Sequence, residues 1–354
     1  MWRQETRRPD RLLEALAGRV SVDADDARLA IREGLGALLG DACLRGLVQC
    51  VDDAVRMMLV AEHRRCLASE IVFERGLAWV SDQILPRSIP LILLKGAALA
   101  RIVYPHAGTR PMSDLDLLVP ARRWREAEAT LRSAGAAIRG PRSRSLTLRH
   151  DYAIPLDVPA GVVVELHRYL SPRPLFRVDH AGLFIRARST DRGGIYLPDE
   201  TDLFLHLALH AAKHAYDVPF RSILDGLLLA RTGRIDQESL RARASAWRAR
   251  RALALWLHIL RQYGLEEHPW QDLAHGLAPA VARASLIEHA PRRDLRGARR
   301  WTTVAAALDG MTPRVAYLAQ RVGFRVIDAA VHFTRTAASL SHMVPSRRLL
   351  GLRR

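Results

Sequence analysis

Two aspartates, Asp114 and Asp116, lie one residue apart in DLDLLV (114–119), a run that is otherwise apolar. The alternation predicts a β-strand, and residues i and i+2 of a strand project from the same face. The two carboxylates therefore repel each other and lose hydration if they are buried. A divalent metal ion relieves both costs, and oxygen ligands favour Mg²⁺ or Mn²⁺ over zinc.

A third carboxylate interrupts a second apolar run, VVVELHRYL (162–170). The same alternation places Val163, Glu165 and His167 on one face of a strand. If this strand lies beside the DLDLLV strand, Glu165 completes a cluster of three carboxylates that can hold one or two metal ions. Such clusters serve phosphoryl or nucleotidyl transfer. His167 is equally consistent with core packing and with support of this site.

A predicted phosphate-binding turn precedes these two runs in the sequence. LILLKGAALA (91–100) reads as a short strand, a glycine and the start of a helix. Gly96 has no side chain to obstruct an approaching phosphate, and helix N-termini attract anions. Lys95 stands at the same turn. Of the 54 basic residues, 52 are arginine, and Lys95 and Lys213 are the two lysines; a retained lysine hints at a specific need for a compact ammonium group.

Other polar residues flank these runs. Arg110 and Ser113 precede the DLDLLV strand, and we predict that both belong to the phosphate-binding side of the site. The alternatives are a generic surface arginine and a structural serine.

Three histidines, His206, His210 and His214, recur every four residues and so line one helix face. No further ligands complete a zinc site around them, which favours packing of this face against the catalytic unit. We predict that His210 and Lys213 reach the phosphate or the acceptor. Asp225 is expected to anchor a helix or to pair with a histidine.

The periodicity of the chain predicts an α+β fold. Apolar residues at helical spacing run from about 10 to 85 and stop at Pro86 and Pro90. Strands and helices then alternate, and the helical pattern returns after about residue 195, where Pro198-Asp199 is a helix-start signal. A length of 354 residues favours two or three domains. We predict a helical N-terminal region (1–88), an α/β core with a small mixed sheet (89–195) and a helical C-terminal domain (196–354).

Within the core, the pattern predicts five further elements: a strand at 91–94, a helix at 97–104, an amphipathic helix in 121–136 that stops at Gly135, and an antiparallel pair of strands in 146–158 and 161–170.

The net charge of +17 invites a nucleic-acid or anionic-membrane partner. The arginine excess is also what a GC-rich coding bias produces, and we prefer that interpretation. The basic end RRLLGLRR (347–354) offers weak contact with anionic surfaces, although a solvated helix end is the default.

No apolar stretch reaches the roughly 18 residues of a membrane span, and no signal peptide is recognisable. The three cysteines lack CxxC spacing. A cytoplasmic protein without integral membrane association is predicted.

The ordered set LLKGAALA, YP, GTRPMSDLDLLV, VVVELHRYL, LFLHLALHAAKH and ILDGLLL resembles the nucleotidyltransferase superfamily of the DNA polymerase β type. It is most similar to a bacterial group of uncharacterised, NTP_transf_5-like nucleotidyltransferases, over residues 60–235 or so. The resemblance implies that Asp114 and Asp116 bind two metal ions and the nucleotide. It implies that Glu165 binds the catalytic metal and helps to deprotonate the acceptor.

Two further residues take roles from the resemblance. Gly96 matches the glycine of the superfamily's Gly-Ser turn, and Lys213 resembles second-domain lysines that contact the triphosphate. Two departures stand out. Ala97 replaces the serine of the turn, for which Lys95 can compensate, and the span from Gly96 to Asp114 is longer than in the commonest members.

The predicted function is transfer of a nucleoside monophosphate from ATP or another NTP to an unidentified hydroxyl acceptor, with Mg²⁺ or Mn²⁺ as cofactor and pyrophosphate as the second product. The acceptor is open among a small molecule, a peptide, a protein and RNA. Two alternatives are a glycosyltransferase that holds a nucleotide-sugar through D-x-D, and a non-catalytic basic RNA-binding or regulatory protein with the same fold. The glycosyltransferase leaves the Lys95-Gly96 turn unexplained, and the RNA-binding protein leaves the buried carboxylates unpaired.

Overall fold

A computed structural model describes residues 8–140, 152–172, 175–265, 305 and 308–310. The first part is helical, as its apolar spacing predicts. Its helices are α1 (Arg8–Leu16), α2 (Ala24–Glu33), α3 (Gly36–Leu44) and α4 (Asp53–Ile84). A 3₁₀ turn that contains Pro86 follows α4 and ends this region, because proline cannot continue a helix.

The helix α4, 32 residues long, connects the N-terminal helices to the site. It packs closely on α3 at Gly40, where a Cβ atom would lie 2.1 Å from the carbonyl oxygen of Leu59. One turn further along, Nδ1 of His63 lies 3.2 Å from the carbonyl oxygen of Gly108, in the loop that leads to the aspartate strand. This loop is therefore held from the N-terminal side.

Seven strands form one mixed sheet in the order β3-β4-β5-β2-β1-β7-β6. Their bounds are β1 (Leu91–Leu93), β2 (Leu115–Leu118), β3 (Ala137–Ile138), β4 (Ala153–Asp157), β5 (Val163–His167), β6 (Arg188–Ser189) and β7 (Ile195–Leu197). The strand β2 is parallel to β5 and antiparallel to β1. The predicted α+β class, with a mixed sheet beside helical regions, is confirmed.

The strand that carries the aspartates is shorter than predicted. β2 begins at Leu115, so Asp114 immediately precedes it. On one side of β2, the pairing with β1 involves only Leu117 and Leu118. On the other side, the pairing with β5 begins at Leu115. Asp114 lies before the first of these pairs, so its backbone forms a bend and does not follow the pleat of the strand.

The other core elements largely agree with their predictions. The helices α5 (Lys95–Ile102) and α6 (Trp124–Ser133) form, although α5 begins two residues early. β4 and β5 are the predicted antiparallel pair, and residues 146–151 of the first predicted strand lie outside the described residues. The strands β3, β6 and β7 were not predicted, since two or three residues are too few to show a period.

The C-terminal half returns to helices. They are α7 (His180–Arg186), α8 (Glu200–Lys213), α9 (Phe220–Arg231), α10 (Gln237–Ala246) and α11 (Arg250–Arg261). The predicted helix start is confirmed, because the Asp199 side chain caps α8 by accepting from the N–H groups of Thr201 and Asp202. The helix α8 is central and almost wholly buried, and it packs against α5, α9, α10 and α11.

In the described part of the chain, no helix is both long and apolar enough to cross a membrane. The basic stretch 347–354 lies outside the described residues, so the contact predicted for it stays a prediction. The same holds for the domain division at residues 88 and 195. The sheet itself extends to Leu197.

Candidate active site

The site is built on two neighbouring parallel strands. Asp116 of β2 stands opposite Glu165 of β5, and Leu118 stands opposite His167. Residues at one register position of adjacent strands share a face, and so do residues two apart. Asp116, Glu165 and His167 therefore converge, as the alternation of the two runs predicts.

These three side chains form a compact cluster. Nε2 of His167 lies 2.7 Å from Oδ1 of Asp116 and 3.3 Å from Oε2 of Glu165. Among the described residues, this is the group whose carboxylate and imidazole atoms lie within 4.8 Å of one another, close enough to share a metal ion. His167 is the member that sequence reasoning left undecided, and its parity with Glu165 was the available signal.

Asp114 lies at the edge of this cluster. It is half-buried, and the exposed Ser113 hydroxyl donates to its Oδ1 at 3.2 Å. Burial raises the pKa of Asp114 above its usual range, and the negative charge of Asp116 raises it further, while Lys95 opposes them. Asp114 is thus electrostatically part of the site, although it is outside the three-residue group.

Lys95 is the cation of the site. Its Nζ lies 2.6 Å from Oδ1 of Asp116, and its side chain is only 15% exposed. Burial by itself would lower the pKa of Lys95, but attraction by Asp116 outweighs this and raises it. Its backbone has a φ of +38°, a conformation that is uncommon for residues with a side chain. Such strain is concentrated at functional positions.

Asp116 is the centre of the charge network. It is 3% exposed, and burial would raise the pKa of its carboxyl group. The positive charge of Lys95 and the hydrogen bond from His167 reverse that effect and hold the pKa well below the ordinary range. The same hydrogen bond raises the pKa of His167 despite burial, which acts in the opposite direction. Asp116 is therefore ionised at neutral pH.

Gly96 follows Lys95 at the N-terminal end of α5. A Cβ atom there would lie 2.7 Å from Nη1 of Arg110 and 3.1 Å from Cγ of Met112. Arg110 is held in place, since its Nε and Nη2 donate to the two carboxylate oxygens of Asp225 at 2.9 and 2.7 Å. The guanidinium of Arg110 thus lies against the turn. Its predicted role in phosphate binding stays a prediction.

Lys213 and His210 approach from α8. The Lys213 ammonium donates to the Tyr152 hydroxyl and lies 4.5 Å from the centre of that ring. The Tyr152 ring in turn lies 5.4 Å from the ring of His167. Burial and the positive charge of Lys95 lower the pKa of His210 well below its usual value. Tyr152, which the sequence did not single out, connects Lys213 to the cluster.

The histidines of α8 do not form a metal-binding group. The rings of His210 and His214 contact each other at a tilt of 50° with centres 4.6 Å apart, and His206 is buried. In the part of the chain that the structure describes, none of the three belongs to a set of converging ligands. The preference for packing against the catalytic unit over a zinc site stays a prediction.

A mixed sheet that presents adjacent carboxylates next to a strand–glycine–helix turn is the arrangement expected of a nucleotidyltransferase. The sequence matches the family described as uncharacterised nucleotidyltransferase (NTP_transf_5) over residues 23–264, about two thirds of the chain. The chain belongs to this family and is an NTP-using nucleotidyltransferase. This assignment selects nucleotidyl transfer over the glycosyltransferase and the non-catalytic alternatives.

Two solved structures are similar in part. One is ANT(2")-Ia in complex with adenylyl-2"-tobramycin, with 16% identity and a TM-score of 0.35 over 51% of this chain and 98% of that chain. The other is the solution structure of the antibiotic-resistance factor ANT(2'')-Ia, with 18% identity and a TM-score of 0.36 over 52% of this chain and 94% of that chain. No curated protein matches the sequence.

Proposed function

We propose that this chain catalyses the metal-dependent transfer of a nucleoside monophosphate from an NTP to a hydroxyl acceptor. The observation that carries the proposal is the register of β2 and β5, which sets Asp116 directly opposite Glu165. The acceptor oxygen attacks the α-phosphorus, the bond from that phosphorus to the bridging oxygen breaks, and pyrophosphate leaves. The proposal includes a cytoplasmic location, where the three free cysteines stay reduced.

The side chains of the site fit a divalent ion. Asp114, Asp116 and Glu165 would hold Mg²⁺ or Mn²⁺ through their carboxylate oxygens. Nε2 of His167 contacts two of these carboxylates, those of Asp116 and Glu165. Carboxylates suit both ions, whereas an imidazole favours Mn²⁺. When bound, the ions would neutralise charge on the triphosphate and on the attacking and leaving oxygens.

Glu165 is the member placed to meet the acceptor. Its side chain is 30% exposed, whereas that of Asp116 is 4% exposed. A partly exposed carboxylate can accept a proton from an incoming hydroxyl group and return it to water. We therefore assign to Glu165 both metal binding and removal of the acceptor proton.

The phosphate side of the site has two parts. Lys95 and Gly96 stand at the N-terminal end of α5, where backbone N–H groups attract anions. Lys213 and His210 lie in the last turn of α8, and Tyr152 connects Lys213 to the cluster. We assign the triphosphate to the turn at Lys95 and Gly96, with Lys213 and His210 as its contacts from α8. The guanidinium of Arg110, which Asp225 holds against the turn, is assigned to the same phosphates.

The test is transfer by the purified full chain. Each of the four labelled NTPs would be supplied with Mg²⁺ or Mn²⁺ and with pooled small hydroxyl compounds, peptides or RNA, and pyrophosphate release and label transfer would be measured. We expect release with at least one NTP, and its loss in Asp116→Asn. Asp157→Asn is the control, because Asp157 is an exposed carboxylate on the adjacent strand β4. Equal activity in wild type and Asp116→Asn would refute the assignment.

A further inference from the structure

One oxygen atom in the site has two close nitrogen contacts. Oδ1 of Asp116 lies 2.6 Å from the Lys95 ammonium and 2.7 Å from Nε2 of His167. Asp116 is almost wholly buried, so water does not screen these contacts. Lys95 therefore forms a salt bridge with the same carboxylate that would bind a divalent ion.

The position of Lys95 has a clear electrostatic reason. Asp116, Glu165 and Asp114 all attract its ammonium group. Buried carboxylates without a counter-ion are costly, and an ammonium on a flexible stem can neutralise them when no metal is bound.

A divalent ion and an ammonium group on the same oxygen repel each other strongly. The two cations therefore compete for Asp116, and a second binding partner for the Lys95 ammonium lies nearby. Lys95 is the first residue of α5, where the backbone N–H groups of the helix N-terminus attract anions. A triphosphate bound there would attract the displaced ammonium.

We propose that Lys95 is an internal counter-cation that the metal ion displaces from Asp116, and that the displaced ammonium then binds the phosphates of the nucleotide. Lys95 thereby competes with metal in the nucleotide-free enzyme and favours nucleotide once metal is bound. The nucleotide half of this inference rests on the proposed function, whereas the metal half stands without it.

The sequence allows a direct observation of this exchange. Lys95 and Lys213 are the two lysines of the chain, so full-length protein labelled with [ε-¹³C]lysine gives two lysine signals in NMR spectra. Lys213→Met assigns them by removing one. We expect saturating Mg²⁺ to shift the Lys95 signal while the Lys213 signal stays in place. An α,β-methylene NTP analogue should then shift the Lys95 signal a second time. A Lys95 signal that ignores Mg²⁺ would overturn the proposal, and this test needs no substitution at Lys95.

Metal affinity provides a second readout. In Lys95→Met without nucleotide, Mn²⁺ measured by electron paramagnetic resonance should bind about tenfold more tightly, because a competing charge is gone. The same variant should bind the NTP analogue more weakly. Arg101→Met is the matched control, since it removes one positive charge from the same helix at a residue paired with Glu74. Mn²⁺ binding to Lys95→Met that is no tighter than to wild type contradicts the proposal.

The outcomes separate this inference from the proposed function. If Mg²⁺ moves Lys95 but the chain neither binds nor uses NTP, the metal half holds and the proposed function fails. If NTP is used while Lys95 ignores Mg²⁺ and Lys95→Met leaves Mn²⁺ affinity unchanged, the proposed function holds and the inference fails.

Discussion

Arg110 and Asp225, which are 115 positions apart in the sequence, form a buried ion pair with two parallel hydrogen bonds. Arg110 is 7% exposed and Asp225 is 1% exposed. The Tyr104 hydroxyl adds a third hydrogen bond, at 2.8 Å, to the same carboxylate. The pair attaches the loop before β2 to α9, and it places the guanidinium against Gly96. It thereby joins the C-terminal helices to the Lys95–Gly96 turn.

Removal of one partner of this ion pair should lower the free energy of unfolding far more than removal of both. Asp225→Ala leaves the charge of Arg110 buried without a partner, and we expect the free energy of unfolding to fall by about 3–5 kcal/mol. Arg110→Met combined with Asp225→Leu should lose much less, because no unpaired charge is left. Urea denaturation of the three proteins measures this. A double variant that is less stable than Asp225→Ala would show that charge compensation is not what the pair provides.

Gly96→Ala should weaken nucleotide binding. The added methyl group would lie 2.7 Å from Nη1 of Arg110, and Arg110 cannot withdraw easily because Asp225 holds it. Overpacking of this kind costs about 1–3 kcal/mol, and we expect KM for the NTP to rise about tenfold or more. Gly193→Ala is the control, since nothing lies within 4 Å of its added methyl group. Steady-state kinetics that are equal for the two variants would contradict the close packing.

Glu165→Gln should affect the chemical step more than binding of the nucleotide. The amide keeps the shape of the side chain but cannot take up the acceptor proton, and it is a weaker metal ligand. We expect kcat to fall by about 10²-fold or more, whereas the dissociation constant of the NTP analogue changes little. Asp157→Asn on β4 should leave both values unchanged. A Glu165→Gln enzyme with wild-type kcat would remove Glu165 from the proposed chemistry.

Asp114→Asn should stabilise the metal-free protein. Burial and the charge of Asp116 raise the pKa of Asp114 in the folded state above the unfolded value of 3.8. Its ionised form therefore costs stability above the folded pKa, and this cost disappears as the pH falls below 3.8. At pH 7 without metal we expect Tm to rise by about 1–3 °C.

The same experiment at saturating Mg²⁺ provides the contrast. Wild type should gain more from Mg²⁺ than the Asp114→Asn variant does, because ligands that bind the native state stabilise it. Calorimetry with and without Mg²⁺ measures both effects. An equal gain in the two proteins would show that Asp114 is not a metal ligand.

Much of the site could be predicted because strand geometry is local. The alternation in DLDLLV and VVVELHRYL identified Asp116, Glu165 and the face of His167, and the register of β2 and β5 agrees with it. The bend at Asp114 was not predictable, because it depends on where the partner strands stop. The short strands β6 and β7 were missed for lack of a repeating pattern.

The sequence by itself determined the class of the fold, the carboxylates of the site and the turn at Gly96, since helical and strand periods and glycine geometry act over a few neighbouring residues. Only the tertiary structure decided the partners of the cations. Lys95 turned out to contact Asp116, Arg110 to pair with Asp225, and Lys213 to meet Tyr152. Charges attract any opposite charge, so their pairing depends on which residues the packing of distant elements brings within a few ångströms.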